Sequence, residues 1–415
     1  MATVGILGTF DTKAEEYEFV RAAVENAGVS TLMIDVGGFE GGIADPEVTA
    51  EEIAAAGGGD LEELRRVRDR GAMVSTMAKG AAIVVPALAA AGRIDAILAL
   101  GGSGGSSVAA AAMQALPIGF PKVLVSTMAA GDVSAYVGEV DSTMMYSVVD
   151  VAGLNRLSRV IFGNAARAAA GMAEGRAAVL KAAEGNDRPL IGMTMFGLTT
   201  PAANEARATL IDLGYEVLVF HATGSGGRSM EKLAESGHLA GVLDLTTTEI
   251  TDEIVGGVLT AGPDRLTAAG KAGIPQVVST GATDMVNFGP KATVPPQFAD
   301  RTFVVHNPTV TLMRTTPEEA RTIGETIASK LRDVDAPTEV FIPLRGVSGL
   351  SVAGGPFDDD AAEGALISAL REGLTGSTVP VHEVDQAIND AGFGALAAHA
   401  LHRLITTQQQ EKVND

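Results

Sequence analysis

Short apolar runs alternate with amphipathic stretches from the start of the chain. The run TVGILGTF (3–10) is rich in apolar residues and ends near glycine and threonine, which predicts a buried strand. The next stretch, Lys13 to Ala27, has apolar residues three to four positions apart, as in a helix, and Gly28 ends it. STLMIDVGG (30–38) then predicts a second strand. Because neither strand alternates apolar and polar residues, we expect a parallel sheet that is covered on both faces.

The same pattern returns in the second half of the chain. Strand, helix, glycine and strand follow one another again from Leu190. Phe196 precedes His221 by 25 positions, just as Phe10 precedes Asp35, and the segment PKVLVSTMAAGD resembles the later segment PQVVSTGATD. We therefore interpret the chain as an internal duplication of an α/β domain with a parallel sheet. Two unrelated parallel sheets could produce similar spacing, so this alternative stays open.

The sequence predicts two domains, residues 1–183 and 184–415. An alanine-rich helical stretch, Asn155 to Lys181, precedes a polar, turn-rich linker at Glu184 to Pro189. A length of 415 residues is also what two or three domains of ordinary size need. In the second domain we expect further βα units, with strands at 242–245, 276–279, 303–306, 339–344 and 379–384 and helices at 317–332, 359–374 and 389–407.

Charge and cysteine content narrow the chemistry. The chain carries 51 acidic and 30 basic residues, a formal net charge of −21, which argues against nonspecific binding to nucleic acid or to an anionic membrane. The absence of cysteine excludes disulfides, thiolate metal sites and a cysteine nucleophile. Charged residues interrupt the N-terminus before a secretory signal could form, and the apolar run Ala81 to Gly92 is too short to cross a bilayer. A cytoplasmic protein is expected.

A glycine-rich segment follows the predicted strand DAILAL and precedes a helix. Glycines allow close backbone approach, and successive amides at a helix N-terminus form an anion-binding cradle. A tight turn with a serine cap would explain the segment as well, so both interpretations stay open. The residues of the segment are Gly101, Gly102, Ser103, Gly104, Gly105 and Ser106.

Two further strand ends carry polar residues. GTFDTK (8–13) follows the first strand, where Asp11 or Thr12 could cap a helix and Lys13 could reach a phosphate. Asp35 ends the second strand, where an acidic residue commonly contacts a ribose hydroxyl. Neither GxGxxG nor GxxxxGK[ST] occurs in the chain. Dinucleotide binding of the usual kind and P-loop chemistry are therefore disfavoured.

The ordered set GTFDTK, DVGG, STMAKG, GGSGGS and STMAAGD resembles a family of bacterial, fungal and plant proteins. That family includes the ATP-binding inhibitory domain of the tomato mosaic virus resistance protein. The resemblance covers essentially the whole chain and implies two Rossmann-like domains, a homodimer and an ATP site in the first domain. Viral inhibition belongs to the plant member and is not expected of this chain. By position, the resemblance assigns the ATP site to Thr9, Phe10, Asp11, Thr12, Lys13, Asp35, Gly37 and the six residues Gly101 to Ser106.

The second domain contains all six histidines and a row of polar loops at its predicted strand ends. His221, Glu249 and Asp284 are candidates for acid–base catalysis or metal binding, and Arg228 could clamp a carboxylate or phosphate. Helix caps collect at such loops too, and this plainer interpretation stays open. A second small-molecule site facing the first domain is the expectation.

Three functions compete at this point. The favoured one is an ATP-binding protein, with Mg²⁺ if ATP is consumed, that acts as an ATP-dependent transferase or ligase on a small acid. A non-enzymatic ATP-binding module that recognises proteins is the contrasting hypothesis. The third is a serine hydrolase, since the GxSxG pattern around Ser103 lies between a strand and a helix, although the first domain has no histidine to activate it.

Overall fold

The computed structural model describes residues 2–39, 41–42, 46–182 and 188–414. The chain forms two compact units, residues 1–186 and 187–415, called the N-terminal unit and the C-terminal unit below. The boundary predicted between residues 183 and 184 lies outside the described residues. Each unit has its own sheet and its own core.

The N-terminal unit is built on a parallel sheet of five strands in the order β2-β1-β3-β4-β5. Its strands are β1 (Thr3–Gly8), β2 (Ser30–Asp35), β3 (Ala96–Gly101), β4 (Lys122–Ser126) and β5 (Thr143–Tyr146). Its helices are α1 (Phe10–Glu25), α2 (Ala50–Ala56), α3 (Leu61–Val67), α4 (Arg70–Ala90), α5 (Ser103–Ala115), α6 (Ser134–Val137) and α7 (Arg156–Ala182). β1 and β3 are buried along almost their whole length, as the lack of alternation predicts.

Helices cover both faces of this sheet. Apolar residues of α1 and α7 form one core with the sheet, and those of α2, α4 and α5 form a second core on the opposite face. Local signals fix several helix starts. Thr49 and Glu52 form a reciprocal capping box at α2, and Asp69 accepts hydrogen bonds from the amides of Gly71 and Ala72 at the start of α4.

The C-terminal unit has a six-stranded parallel sheet, ordered β7-β6-β8-β9-β13-β14, and a separate antiparallel sheet, ordered β10-β12-β11. Its strands are β6 (Leu190–Met195), β7 (Glu216–His221), β8 (Gly241–Thr246), β9 (Gln276–Gly281), β10 (Met285–Phe288), β11 (Phe303–Asn307), β12 (Val310–Arg314), β13 (Thr338–Pro343) and β14 (Val381–Val384). Its helices are α8 (Thr200–Asp212), α9 (Ser225–Glu235), α10 (Thr248–Val255), α11 (Ala268–Lys271), α12 (Pro317–Leu331), α13 (Asp360–Leu374) and α14 (Phe393–Asn414).

The α/β fold with two Rossmann-like, parallel-sheet units is confirmed. Within each unit the first four strands of the parallel sheet have the same order, second-first-third-fourth, an order that a duplication and two unrelated doubly wound sheets would both give. One expectation was wrong: the strand predicted at 303–306 does not enter the parallel sheet. It forms β11 and pairs antiparallel with β12, because the short connection between them allows only a hairpin.

Helix α4 is, by length and apolar composition alone, the one helix of the described chain that could cross a membrane. It contains the run beginning at Ala81 and continues through Pro86, so the helix is longer than that run alone. In this structure α4 packs against α2 and α5. Its first turns form part of the wall of the pocket described next.

Candidate functional site

A pocket of about 1190 Å³ opens in the N-terminal unit at the carboxyl ends of β1 and β3. These two strands are neighbours: the chain runs from β1 to β2 on one side and then crosses back to β3 on the other side of β1. This is the point at which the strand order reverses, where ligands of open α/β sheets bind. The volume is somewhat larger than the range of about 300–1,000 Å³ that is typical of small-ligand sites.

Two helix N-termini begin at this pocket. α5 starts after Gly102, and α1 starts after Thr9, and neither helix has a side-chain cap at that residue. The first amides of a helix have no intrahelical acceptor and carry the positive end of the helix dipole. In α1 the Phe10 amide donates to Asp35 and the helix is kinked at Lys13, so the amides that remain available to a ligand are those that open α5. The first turn of α5 contains no acidic residue. The arrangement therefore favours an anion.

The glycines of the α5 loop have separate tasks. A Cβ at Gly101 would lie 2.8 Å from the backbone nitrogen of Ser106, so this position admits only glycine without rearrangement. A Cβ at Gly102 or Gly104 would make only ordinary van der Waals contacts, and both residues line the pocket. Ser106 is fully buried, and its hydroxyl contacts that of Ser126 at 2.7 Å. Ser106 thus holds the loop against β4 and does not face the pocket.

The loop after β1 contributes a second row of polar groups. Thr9, Asp11, Thr12 and Lys13 all line the pocket. The Thr12 hydroxyl donates to the Thr9 hydroxyl at 3.2 Å, and the Lys13 ammonium donates to the carbonyl of Val151. The Oδ2 atom of Asp11 accepts a hydrogen bond from the Phe39 amide at 2.7 Å, while its Oδ1 atom is buried without a partner.

The basic segment 65–70, from the end of α3 to the start of α4, also lines the pocket. Arg65, Arg68 and Arg70 line the pocket, together with Asp69. Arg65 is engaged locally, since its guanidinium donates to the carbonyls of Gly38 and Phe39 at 3.1 Å each. Arg68 and Arg70 are exposed at the pocket mouth. Positive charge therefore lies at the mouth of the same pocket, and Arg70 reaches the side of the glycine loop, 3.6 Å from a Cβ built on Gly104.

The structure brings eight of the thirteen predicted ATP-site residues into this one pocket. They are Thr9, Asp11, Thr12, Lys13, Gly102, Ser103, Gly104 and Gly105. The other five, Phe10, Asp35, Gly37, Gly101 and Ser106, lie next to the pocket without lining it.

Asp35 and Phe10 have structural partners in the strand-end region. Asp35 Oδ1 accepts hydrogen bonds from the amides of Gly37 at 2.8 Å and Phe10 at 3.3 Å, and burial raises the pKa of this carboxyl. The Phe10 ring is fully buried and packs edge-on against Tyr17. In this structure the two residues fix the ends of β2 and α1.

Several pocket residues are absent from the sequence prediction. They are Val36, Gly38, Phe39, Leu64, Arg65, Arg68, Asp69, Arg70, Met73, Val74, Met77, Val108, Thr127, Met128 and Asp150. Two signals could have found some of them. Met77 belongs to STMAKG, and Thr127 and Met128 belong to STMAAGD, both already part of the resemblance. The basic run RRVRDR (65–70) was the other signal.

In the C-terminal unit the equivalent strand ends are filled by side chains. The Thr199 and Thr246 hydroxyls, which follow β6 and end β8, contact each other at 2.7 Å and are fully buried. Glu249 Oε1 accepts hydrogen bonds from the amides of Gly224 at 2.6 Å and Gly227 at 3.0 Å. A carboxylate of the protein itself thus occupies the amide cradle at the start of α9.

Glu249 belongs to a buried ionic cluster. Its Oε2 atom accepts from Arg265 Nε at 2.7 Å, and Arg265 also pairs with Asp244 and Glu231. Burial raises the pKa of Glu249, while Arg265 and the two amides act in the opposite direction. Because both carboxylate oxygens are engaged and the side chain is fully buried, this placement gives Glu249 a structural position rather than access to a substrate.

Asp284 lies in a different network of the C-terminal unit. Its Oδ2 atom accepts from the Ser348 hydroxyl at 2.8 Å, and its Oδ1 atom is buried without a partner. Burial raises the pKa of Asp284 to about 6, against the lowering effect of Arg314. Asp284 is 2% exposed, so it too is enclosed by the protein.

His221, the last residue of β7, and Arg228, in α9, are exposed. The His221 ring lies 5.5 Å from the Phe196 ring, and Arg228 donates to the carbonyl of Thr260 at 3.1 Å. The four residues predicted to be catalytic therefore divide into an exposed pair and two separately buried carboxylates. Among the described residues, no group of three histidine, aspartate or glutamate side chains is placed to hold a metal.

Family models match both halves of the chain. The N-terminal domain model of the uncharacterised protein family UPF0261 matches residues 2–178, and its C-terminal domain model matches residues 188–405. A UPF0261 protein of Clostridium tetani is 50% identical over 95% of this chain and 97% of its own length. One of Rhizobium meliloti is 44% identical, covering 96% and 98%.

A plant protein is also similar. The ToMV resistance protein Tm-1(GCR237) of Solanum lycopersicum is 44% identical over 72% of this chain, a match that spans 40% of the tomato protein. Among solved structures, the spinosyn rhamnosyltransferase SpnG aligns over 98% of this chain and 96% of its own length, at 14% identity and a TM-score of 0.20. The expected relationship is confirmed by the family models and the close relatives: the chain belongs to the protein family UPF0261.

Proposed function

We propose that the N-terminal unit binds ATP in the pocket between β1 and β3. The observation that carries the proposal is the uncapped N-terminus of α5, which begins at the glycine loop at the reversal point of the strand order. Amides and helix dipoles at such a point attract phosphate. The resemblance to a family with an ATP-binding member selects ATP among the nucleotides.

The pocket is lined by both polar and apolar groups. Hydroxyls, amides and cations come from the loops after β1 and β3, and they suit the phosphates. An apolar wall suits the flat, weakly polar surface of a base. The residues of that wall are Val36, Leu64, Met73, Val74, Met77, Val108 and Met128.

Asp11 fits a role in holding Mg²⁺ that accompanies the nucleotide. Mg²⁺ is usually held by one or two carboxylates together with phosphate oxygens and water. The Oδ1 atom of Asp11 is buried without a partner, and a buried carboxylate oxygen without one is costly. A bound Mg²⁺ would neutralise charge on the phosphates. Asp11 itself is held in place by the Phe39 amide.

Whether ATP is consumed separates two versions of this function. The enzyme version is an ATP-dependent transferase or ligase acting on a small acid, and the contrasting version is a non-enzymatic module that recognises a protein. Incubating the pure protein with ATP, Mg²⁺ and a pool of small carboxylic acids, and following ADP, AMP and phosphate, distinguishes them. Turnover supports the enzyme, and its absence together with ATP-dependent capture of a protein supports the module.

The serine hydrolase version has less support. Ser103 lines the pocket, but the N-terminal unit contains no histidine that could serve as its base. The backbone carbonyl of Ser103 accepts from the Ser107 hydroxyl at 2.9 Å, as in an ordinary first turn of a helix.

Calorimetric titration with ATP tests the site. Gly104→Glu should abolish binding, because it places a carboxylate at the mouth of the cradle. Gly104→Ala is the matched control, since an added methyl would have its nearest neighbours at 3.6 and 3.9 Å and should fit. Equal ATP affinity of both variants would show that the nucleotide binds elsewhere, and no binding by the unaltered protein would reject the function.

A further inference from the structure

The two exposed arginines at the pocket mouth differ from their neighbours in the same basic segment. Arg65 donates to two backbone carbonyls and pairs with Glu51, and Arg66 forms a two-bond ion pair with Glu63. Within the described chain, no hydrogen bond or ion pair engages the guanidinium groups of Arg68 and Arg70. Two planar guanidinium groups therefore line the pocket, and neither has an acceptor from the described part of the protein.

The backbone of this segment is fixed. Arg68 has left-handed dihedral angles, with φ at 57°, and ends α3 through a hydrogen bond from its amide to the Leu64 carbonyl. Asp69 then caps α4, so its carboxylate is engaged by the amides of Gly71 and Ala72. Asp69 lies between the two arginines in sequence, but its carboxylate is hydrogen-bonded to the first turn of α4. Both ends of the turn are anchored, which presents the arginines on a defined scaffold.

Arg70 lies close to the glycine loop. A Cβ built on Gly104 would be 3.6 Å from Arg70 Nη2, so the guanidinium stands beside the first turn of α5. A phosphate chain that begins on the α5 amides therefore has Arg70 within reach of its next members. Guanidinium groups recognise phosphate through paired, charge-assisted hydrogen bonds.

Resting on the proposed ATP site, we propose that Arg68 and Arg70 form an anion subsite that receives the terminal phosphate of the nucleotide. The amides of α5 hold one phosphate through neutral groups, and this hold is the same for a monophosphate as for a triphosphate. The two arginines add positive charge farther along the chain of phosphates. The subsite makes the pocket selective for nucleoside triphosphates over monophosphates.

The test compares calorimetric affinities of AMP, ADP and ATP, with Mg²⁺ present, for the unaltered protein and for Arg68→Ala and Arg70→Ala. We expect each variant to weaken ATP binding by about tenfold, the order of one lost charge-assisted contact, and to leave AMP binding within about twofold. Arg70→Lys should recover part of the loss, because it keeps the charge but not the paired donors.

Arg66→Ala is the matched control, because Arg66 lies in the same segment, carries the same charge and is paired outside the pocket. It should bind all three nucleotides as the unaltered protein does. Equal weakening of AMP, ADP and ATP by the pocket variants, or no weakening at all, would overturn the subsite alone. Failure of the unaltered protein to bind any of the three would overturn the proposed ATP site and the subsite with it.

Discussion

The Tyr17 hydroxyl serves both backbone groups of Leu100, donating to its carbonyl at 2.5 Å and accepting from its amide at 3.0 Å. The ladder between β1 and β3 ends one step earlier, at the pair Leu7 and Ala99. The Tyr17 side chain, from α1, thus forms the hydrogen bonds with Leu100 that the backbone near Gly8 would form if the ladder continued. The Tyr17 ring lies so close to Gly8 that an added Cβ there would meet it at 2.0 Å. This phenol separates the two strand ends beneath the pocket.

Tyr17→Phe should destabilise the N-terminal unit by about 1–3 kcal/mol, because the amide and carbonyl of Leu100 stay buried and lose their partner. The ring and its packing against Phe10 are kept, so the change isolates the hydroxyl. Urea unfolding followed by hydrogen exchange of N-terminal amides measures the effect. Tyr146→Phe, at an exposed tyrosine of the same unit, should change stability little. An unchanged midpoint for Tyr17→Phe would contradict this role.

Asp11→Asn should remove the Mg²⁺ dependence of ATP affinity. The amide keeps an acceptor for the Phe39 amide but loses the negative charge that a hard cation requires. Titrations with and without Mg²⁺ give the difference directly, and affinity without the metal should not fall. Asp69→Asn is the control, since asparagine also caps helices and the same charge is lost from the same pocket. If both variants respond to Mg²⁺ like the unaltered protein, Asp11 does not hold the metal.

Glu249→Ala should destabilise the C-terminal unit by about 3–5 kcal/mol, the scale for one removed partner of a buried ion pair. The change leaves Arg265 and the amides of Gly224 and Gly227 with lost bonds. Thermal unfolding is the measurement. Glu253→Ala, one turn farther along the same helix and exposed, should change stability by less than about 0.5 kcal/mol. Equal melting temperatures of the two variants would argue against a stabilising role for Glu249 in the amide cradle at the start of α9.

The C-terminal unit should lose stability as pH rises from about 4 to about 8. Burial raises the pKa of Asp252 to about 7 and of Asp284 to about 6, whereas both ionise near 4 when unfolded. Between those values the folded state binds more protons than the unfolded state, so the stabilisation present at low pH is lost as pH rises through the folded pKa. Each pKa unit corresponds to about 1.4 kcal/mol.

Urea midpoints measured at several pH values between 5 and 8 check this sign. Asp252→Asn and Asp284→Asn should each flatten the dependence, because the amide has no proton to lose in this range. Stability that instead rises with pH across this interval would show that the two carboxylates are charged in the folded protein.

The positions of several strands could be predicted from the sequence because buried parallel strands are short, unbroken apolar runs. The segments at 242–245 and 276–279 became β8 and β9 nearly as predicted. The sequence predicted the strand at 303–306 but not its antiparallel pairing with β12. Its residues include HNPTVTLMR, where polar residues at a strand turn look the same as a loop between a strand and a helix.

For the site, sequence located the loops but not the directions of their side chains. Phe10 and Asp35 stand at strand ends as predicted, yet one packs into the core and the other binds backbone amides. The arginine wall was missed for another reason. Arg68 and Arg70 are more than 30 positions from the glycine loop, and a basic run on short helices is typical of a solvated surface.

The carboxylate that fills the cradle of the C-terminal unit has a consequence for the lifetime of the protein in a cell. That unit has its anion built in, so its folding is independent of any metabolite at this position. The N-terminal pocket, under the proposed function, gains stability from bound ATP, about 2.7 kcal/mol at a concentration one hundred times the Kd. Starvation would therefore expose one half of the chain to proteases before the other. Under the proposed function, the survival of the N-terminal half would follow the supply of nucleotide, and that of the C-terminal half would not.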